Sequence, residues 1–122
     1  MHYNKQWEAE IIQRIARRLS RIPGEVDMVF GVFSRGQKTV TKEDFKYTCL
    51  KRLQMSKEIS EREIDMFLRG NPRLLDSEII TMDQFLELFS IAIKQARNDL
   101  MTEEAMQMTT IKKYEEALRT NT

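Results

Sequence analysis

The chain has 122 residues, 41% apolar and 32% charged, with 20 Lys and Arg against 19 Asp and Glu for a net charge of +1. That length fits one domain with one core, and the mixture excludes both a disordered polymer and a membrane-like chain. The charge balance argues against a dedicated nucleic-acid binder, which carries a clear cationic surplus.

The first predicted helix covers 5–22, where Trp7, Ile11, Ile15, Leu19 and Ile22 recur every three or four residues as an apolar stripe. Glu8 and Glu10 lie near its start and Arg14, Arg17, Arg18 and Arg21 crowd its end, the polarity a helix dipole favours. Pro23-Gly24 stops it. A short helix follows over 25–33 with Val26, Val29, Phe30 and Phe33 in register, then the polar break Ser34-Arg35-Gly36-Gln37-Lys38. Thr41 is placed to cap the next helix, whose inner face is Phe45, Cys49, Leu50 and Leu53.

After a polar link around Ser56 and Lys57, Ser60-Glu61-Arg62-Glu63 is a capping box opening a helix with Ile64, Phe67 and Leu68. Gly70-Asn71-Pro72 ends it, and Thr81-Met82-Asp83-Gln84 forms a second capping box. The helix beyond carries Phe85, Leu88, Phe89, Ala92, Ile93 and Ala96, and a last amphipathic helix over 101–119 carries Met101, Ala105, Met108, Ile111 and Leu118. Four Gly and two Pro are too few for a turn-rich β chain. The expected class is all-α, six helices in one domain, with no strand longer than a few residues. Its parts are the N-terminal helix (5–22), two helix-loop-helix units (25–53 and 60–97) and the C-terminal helix (101–119).

Two helix-loop-helix units, each ending in a capped helix, suggest an internal repeat. They resemble an EF-hand pair of the calmodulin and troponin C superfamily. The first unit has aromatics three apart before its loop (Phe30, Phe33), a lone β-branched Val40 late in it, and Asp44-Phe45 at its exit; Ile80 and Gln84-Phe85 match in the second. The resemblance implies that Val40 and Ile80 pair their backbones in a two-residue ladder. It also implies a groove for an amphipathic partner helix, lined by Val29, Phe33, Phe45, Cys49, Phe67, Leu88 and Phe89. The same side chains also read as plain core, filled from within by the two flanking helices.

The metal signature is missing from both loops. Calcium takes roughly 6–8 oxygens from fixed positions, with a bidentate Glu last and a Gly at the bend. The first loop (Ser34–Asp44) reads Ser34, Gly36 and Lys38 where acids belong, and is one residue short. Counting back from Ile80 and Phe85, the second (Pro72–Gln84) reads Arg73, Leu75 and Ser77, ends on Gln84, and has Glu78 in place of the bend Gly. No calcium and no other cofactor is expected.

Little else carries chemistry. His2 is the only histidine, so no Ser-His-Asp or Cys-His arrangement can be built. Cys49 lies on an apolar stripe and reads as a buried structural thiol. A single Cys also points to a reducing compartment. The apolar stretch 85–93 is far short of the ~20 residues of a spanning helix, and the N-terminus lacks a secretory core. Ile12-Gln13-Arg14-Ile15-Ala16-Arg17-Arg18 resembles the start of an IQ motif, with its final arginine one place early at Arg21. Arg14, Arg17, Arg18 and Arg21 therefore form a second candidate surface, for an acidic or calmodulin-like partner. Arg17-Arg18-Leu19-Ser20 fits a basophilic kinase consensus, inside a helix where phosphate at Ser20 is unfavourable.

The function expected is a calcium-independent, non-enzymatic adaptor that binds a partner helix or sits in a larger cytoplasmic assembly, for instance a cytoskeletal or ciliary one. The alternative is a calcium-responsive sensor or light-chain-like subunit with weak residual metal binding.

Overall fold

The computed structural model describes residues 3–120, with side chains described through residue 102. The chain is mostly helical, with one two-stranded sheet. Helix α1 (Lys5–Leu19) begins at Asn4, whose side chain accepts from the Trp7 N–H at 2.8 Å. It buries Trp7, Ile11, Ile15, Ala16 and Leu19. It ends three residues before Ile22, which closes a turn onto the Leu19 carbonyl ahead of Gly24 at φ +100°. Helix α2 (Val26–Ser34) stops at Arg35 (φ +53°), and Gly36 (φ +84°) continues the left-handed turn.

Strand β1 (Thr39–Thr41) leads into α3 (Lys42–Tyr47), where the Thr41 hydroxyl accepts from the Asp44 N–H at 3.0 Å. The helix widens into a π-turn over Thr48–Arg52. The polar link expected after it is anchored by Met55 and Ile59, both fully buried. Helix α4 (Glu61–Gly70) opens with the complete Ser60/Glu63 capping box. A 3-10 turn (Pro72–Leu74) follows, then β2 (Ile79–Thr81) and α5 (Met82–Thr120). At the start of α5, the Thr81 N–H donates to the Gln84 amide oxygen while the Gln84 N–H donates to the Thr81 hydroxyl.

The separate helix expected over 101–119 is instead the second half of α5. No Gly or Pro follows Pro72, so the polar run Asn98-Asp99 has no breaker to end the helix. The strands pair antiparallel, with Thr39 opposite Thr81, Val40 opposite Ile80 and Thr41 opposite Ile79.

All six phenylalanines form one connected array. Phe33 stacks on Phe45 at 4.5 Å, Phe85 tilts against Phe30 and Phe33, and Phe89 meets Phe45, Phe67 and Phe85 at 5.2–6.1 Å. Such ring pairs contribute about 0.5–1.5 kcal/mol each beyond their area. The stripe of α1 belongs to the same hydrophobic cluster. Among the described residues no helix is long and apolar enough to cross a membrane.

Candidate functional site: the paired loops and the filled interior

The antiparallel β1–β2 ladder sets the start of α3 beside the loop before β2. Lys42, the first residue of α3, ties them together twice. Its backbone N–H donates to the Glu78 carbonyl at 2.9 Å, and its ammonium donates to the Leu74 carbonyl at 2.6 Å. Gln84, at the last position of the second loop, turns its amide nitrogen onto the Arg73 carbonyl at 3.1 Å. The Arg73 N–H in turn donates to the Asn71 side chain at 2.9 Å.

Two adjacent carbonyls at the start of the second loop thus face an ammonium and an amide from the chain itself. The loop acids Asp76 and Glu78 are exposed. Among the described residues no group of three or more His, Cys, Asp or Glu could hold a metal. These residues do not fit a calcium ion: the ammonium repels it, and Gln84 offers no carboxylate in the closing position.

Val29, Phe33, Phe45, Cys49, Phe67, Leu88 and Phe89 are brought together, but in the interior, each at most 5% exposed. They do not form an open groove, because α1 lays Trp7, Ile11, Ile15 and Leu19 into the same cluster. Burial pushes the Cys49 thiol far above its usual range.

The four arginines do not form one free face. Arg14 pairs with Glu63 at 3.1 Å and the Arg18 guanidinium donates to the Leu53 carbonyl at 3.0 Å, while Arg17 and Arg21 are exposed. The IQ-like helix is therefore packed on its own domain. Ser20 is buried, with its hydroxyl donating to the Arg17 carbonyl at 2.6 Å. His2 lies outside the described residues, as do the side chains of the C-terminal stripe beyond Met101.

Sequence reasoning did not single out Lys42, Lys46 or Arg97. The Lys46 ammonium bridges α3 and α4 through Asp65, Glu61 and Glu43 at 3.1–3.5 Å, and its hydrogen bond to Asp65 holds it above the usual lysine range. Arg97 of α5 donates to the Ser20 and Ile22 carbonyls, supplying donors and positive charge at the end of α1. Apart from the Lys46–Glu43 pair three residues apart, the partners are far away in sequence. Comparison with models of known families, with curated proteins and with solved structures returns no match.

Proposed function

We propose that this protein is a calcium-independent interaction module, a structural adaptor built on a degenerate EF-hand pair. The observation that carries the reading is the internal closure of the second loop by Lys42 and Gln84. In a metal-switched pair, loop oxygens wait for an ion and the helices rearrange when it binds. Here an ammonium and an amide of the chain itself fix the start of the second loop, so the arrangement of the helices is independent of calcium.

The filled interior supports an adaptor whose partner meets the outside of the molecule rather than a central cleft. Met28, Tyr47, Ile91 and Met101, 67%, 55%, 80% and 68% exposed, are among the apolar side chains available there. No catalytic step is assigned to the chain, and a place in a cytoplasmic assembly, cytoskeletal or ciliary, fits a small rigid part of this kind.

Isothermal titration with calcium and then magnesium, paired with thermal unfolding with and without each ion, tests the reading. The expected result is no saturable heat and no change in melting temperature. Saturable calcium binding that raises the melting temperature sinks it.

A further inference from the structure

The two strands differ in how their outer edges are covered. Along β2 the chain covers its own edge: the Ile79 N–H donates to the Ser77 hydroxyl and the Thr81 N–H to the Gln84 amide oxygen. Ladder hydrogen bonds alternate residue by residue, and the Lys42 N–H bonds the Glu78 carbonyl. Val40 and Ile80 therefore turn their backbone groups toward each other, while Thr39 and Thr41 turn theirs away from β2. Among the described residues the Thr39 and Thr41 N–H groups meet no acceptor.

Both threonines line a cavity of about 290 Å3 between the first loop and α3. Ser34 and Thr48 line it too, 6% and 3% exposed, and neither hydroxyl has a hydrogen-bond partner among the described residues. Buried hydroxyls left without protein partners beside a cavity are donors and acceptors open to a polar guest.

The charges narrow the kind of guest. Arg35 and Asp44 are exposed and line the same space, yet among the described residues neither forms an ion pair, with the other or with anything else. Opposite charges that face one cavity and stand apart match a ligand carrying both signs. A divalent ion is a poor match, because Asp44 is the only carboxylate on the lining and Arg35 repels a cation. Phe33, Val40 and the Tyr47 ring add apolar surface. Ligand sites span roughly 300–1,000 Å3, so this one suits a molecule no larger than a free amino acid.

We propose that the first-loop cavity binds a free amino acid with an apolar side chain, in its zwitterionic form. The carboxylate takes Arg35 and the Thr39 and Thr41 N–H groups, and the ammonium takes Asp44. The Ser34 and Thr48 hydroxyls fill the remaining hydrogen bonds, and the side chain lies on Phe33, Val40 and Tyr47. None of this depends on the calcium-independence of the loops, which a separate titration tests.

The test is isothermal titration of the full chain with L-leucine in metal-free buffer. Two analogues run beside it: 4-methylpentanoate, which lacks the ammonium, and 3-methylbutylamine, which lacks the carboxylate. Leucine binds saturably, with a Kd below about 1 mM, and each analogue binds at least about tenfold more weakly. Arg35→Asn, which keeps a residue that tolerates the left-handed backbone there, Asp44→Asn and Ser34→Ala each weaken leucine by at least about tenfold. Circular dichroism confirms that each variant is folded. No saturation by leucine up to about 10 mM overturns the proposal. So does an analogue that binds as tightly as leucine, or leucine binding that all three folded variants leave unchanged.

Discussion

Replacing Lys42 with Met keeps most of the side-chain stem and removes the ammonium that holds the Leu74 carbonyl at 2.6 Å. A hydrogen bond from a charged donor contributes about 1.5–3 kcal/mol, and a buried acceptor left without a partner costs about 1–3 kcal/mol; these describe the same loss and do not add. Leu74 is fully buried but Lys42 is only half-buried, so water relieves part of the cost and about 1–2 kcal/mol is expected. In a domain of this size that lowers the melting temperature by roughly 3–8 °C. Chemical denaturation gives the global figure, and hydrogen exchange over 72–79 gives the local one, with protection falling there first. Lys42→Arg, which retains a charged donor, should recover part of both. A Lys42→Met chain within about 0.5 kcal/mol of the native one, with unchanged exchange in that segment, refutes the idea that the ammonium fixes the second loop.

Three further outcomes are expected. Phe89→Ala removes the ring that touches Phe45, Phe67 and Phe85 and should cost about 3–5 kcal/mol in urea denaturation, a large part of the roughly 5–15 kcal/mol available to a domain. Cys49 is buried with its thiol held protonated, so a thiol reagent should label it only as fast as the chain opens, and at full speed in denaturant. Glu63 has its carboxyl held below the usual range, chiefly by the Ser60 N–H that donates to it, with Arg14 adding to the effect. Its contribution to stability is complete above the ordinary carboxylate pKa and is lost as pH falls through the lowered value. Unfolding measured from neutral to acidic pH should therefore show a shallower acid-side decline for Glu63→Gln.

The parts of the fold that were legible are those written in local chemistry. Thr41, Ser60 and the Thr81/Gln84 pair announce helix starts because a hydroxyl three residues ahead of a free N–H is a short-range signal. The apolar stripe of α1 likewise shows its buried face in its own spacing. The unread parts depend on distant approach. Met55 and Ile59 lie in a stretch whose neighbours are polar, and only the packing around them makes them core. The continuity of α5 through Asn98-Asp99 reflects the absence of a strong breaker, which is a weaker signal than a cap. At the loop before β2, local spacing gave no sign that Lys42 and Gln84 bond the Leu74 and Arg73 carbonyls. Those bonds join positions 32 and 11 residues apart.

The place of α1 in the cluster also sets terms for any visitor to the interior. Trp7, Ile11, Ile15 and Leu19 are a resident ligand on a short tether, joined to α2 by the exposed turn at Pro23-Gly24. Burial of four such side chains is on the order of 6–12 kcal/mol, and attachment through a short linker acts like a local concentration of roughly millimolar. An outside helix with an equal apolar stripe would match that burial but not the tether, so cutting the chain at the turn should ease its entry.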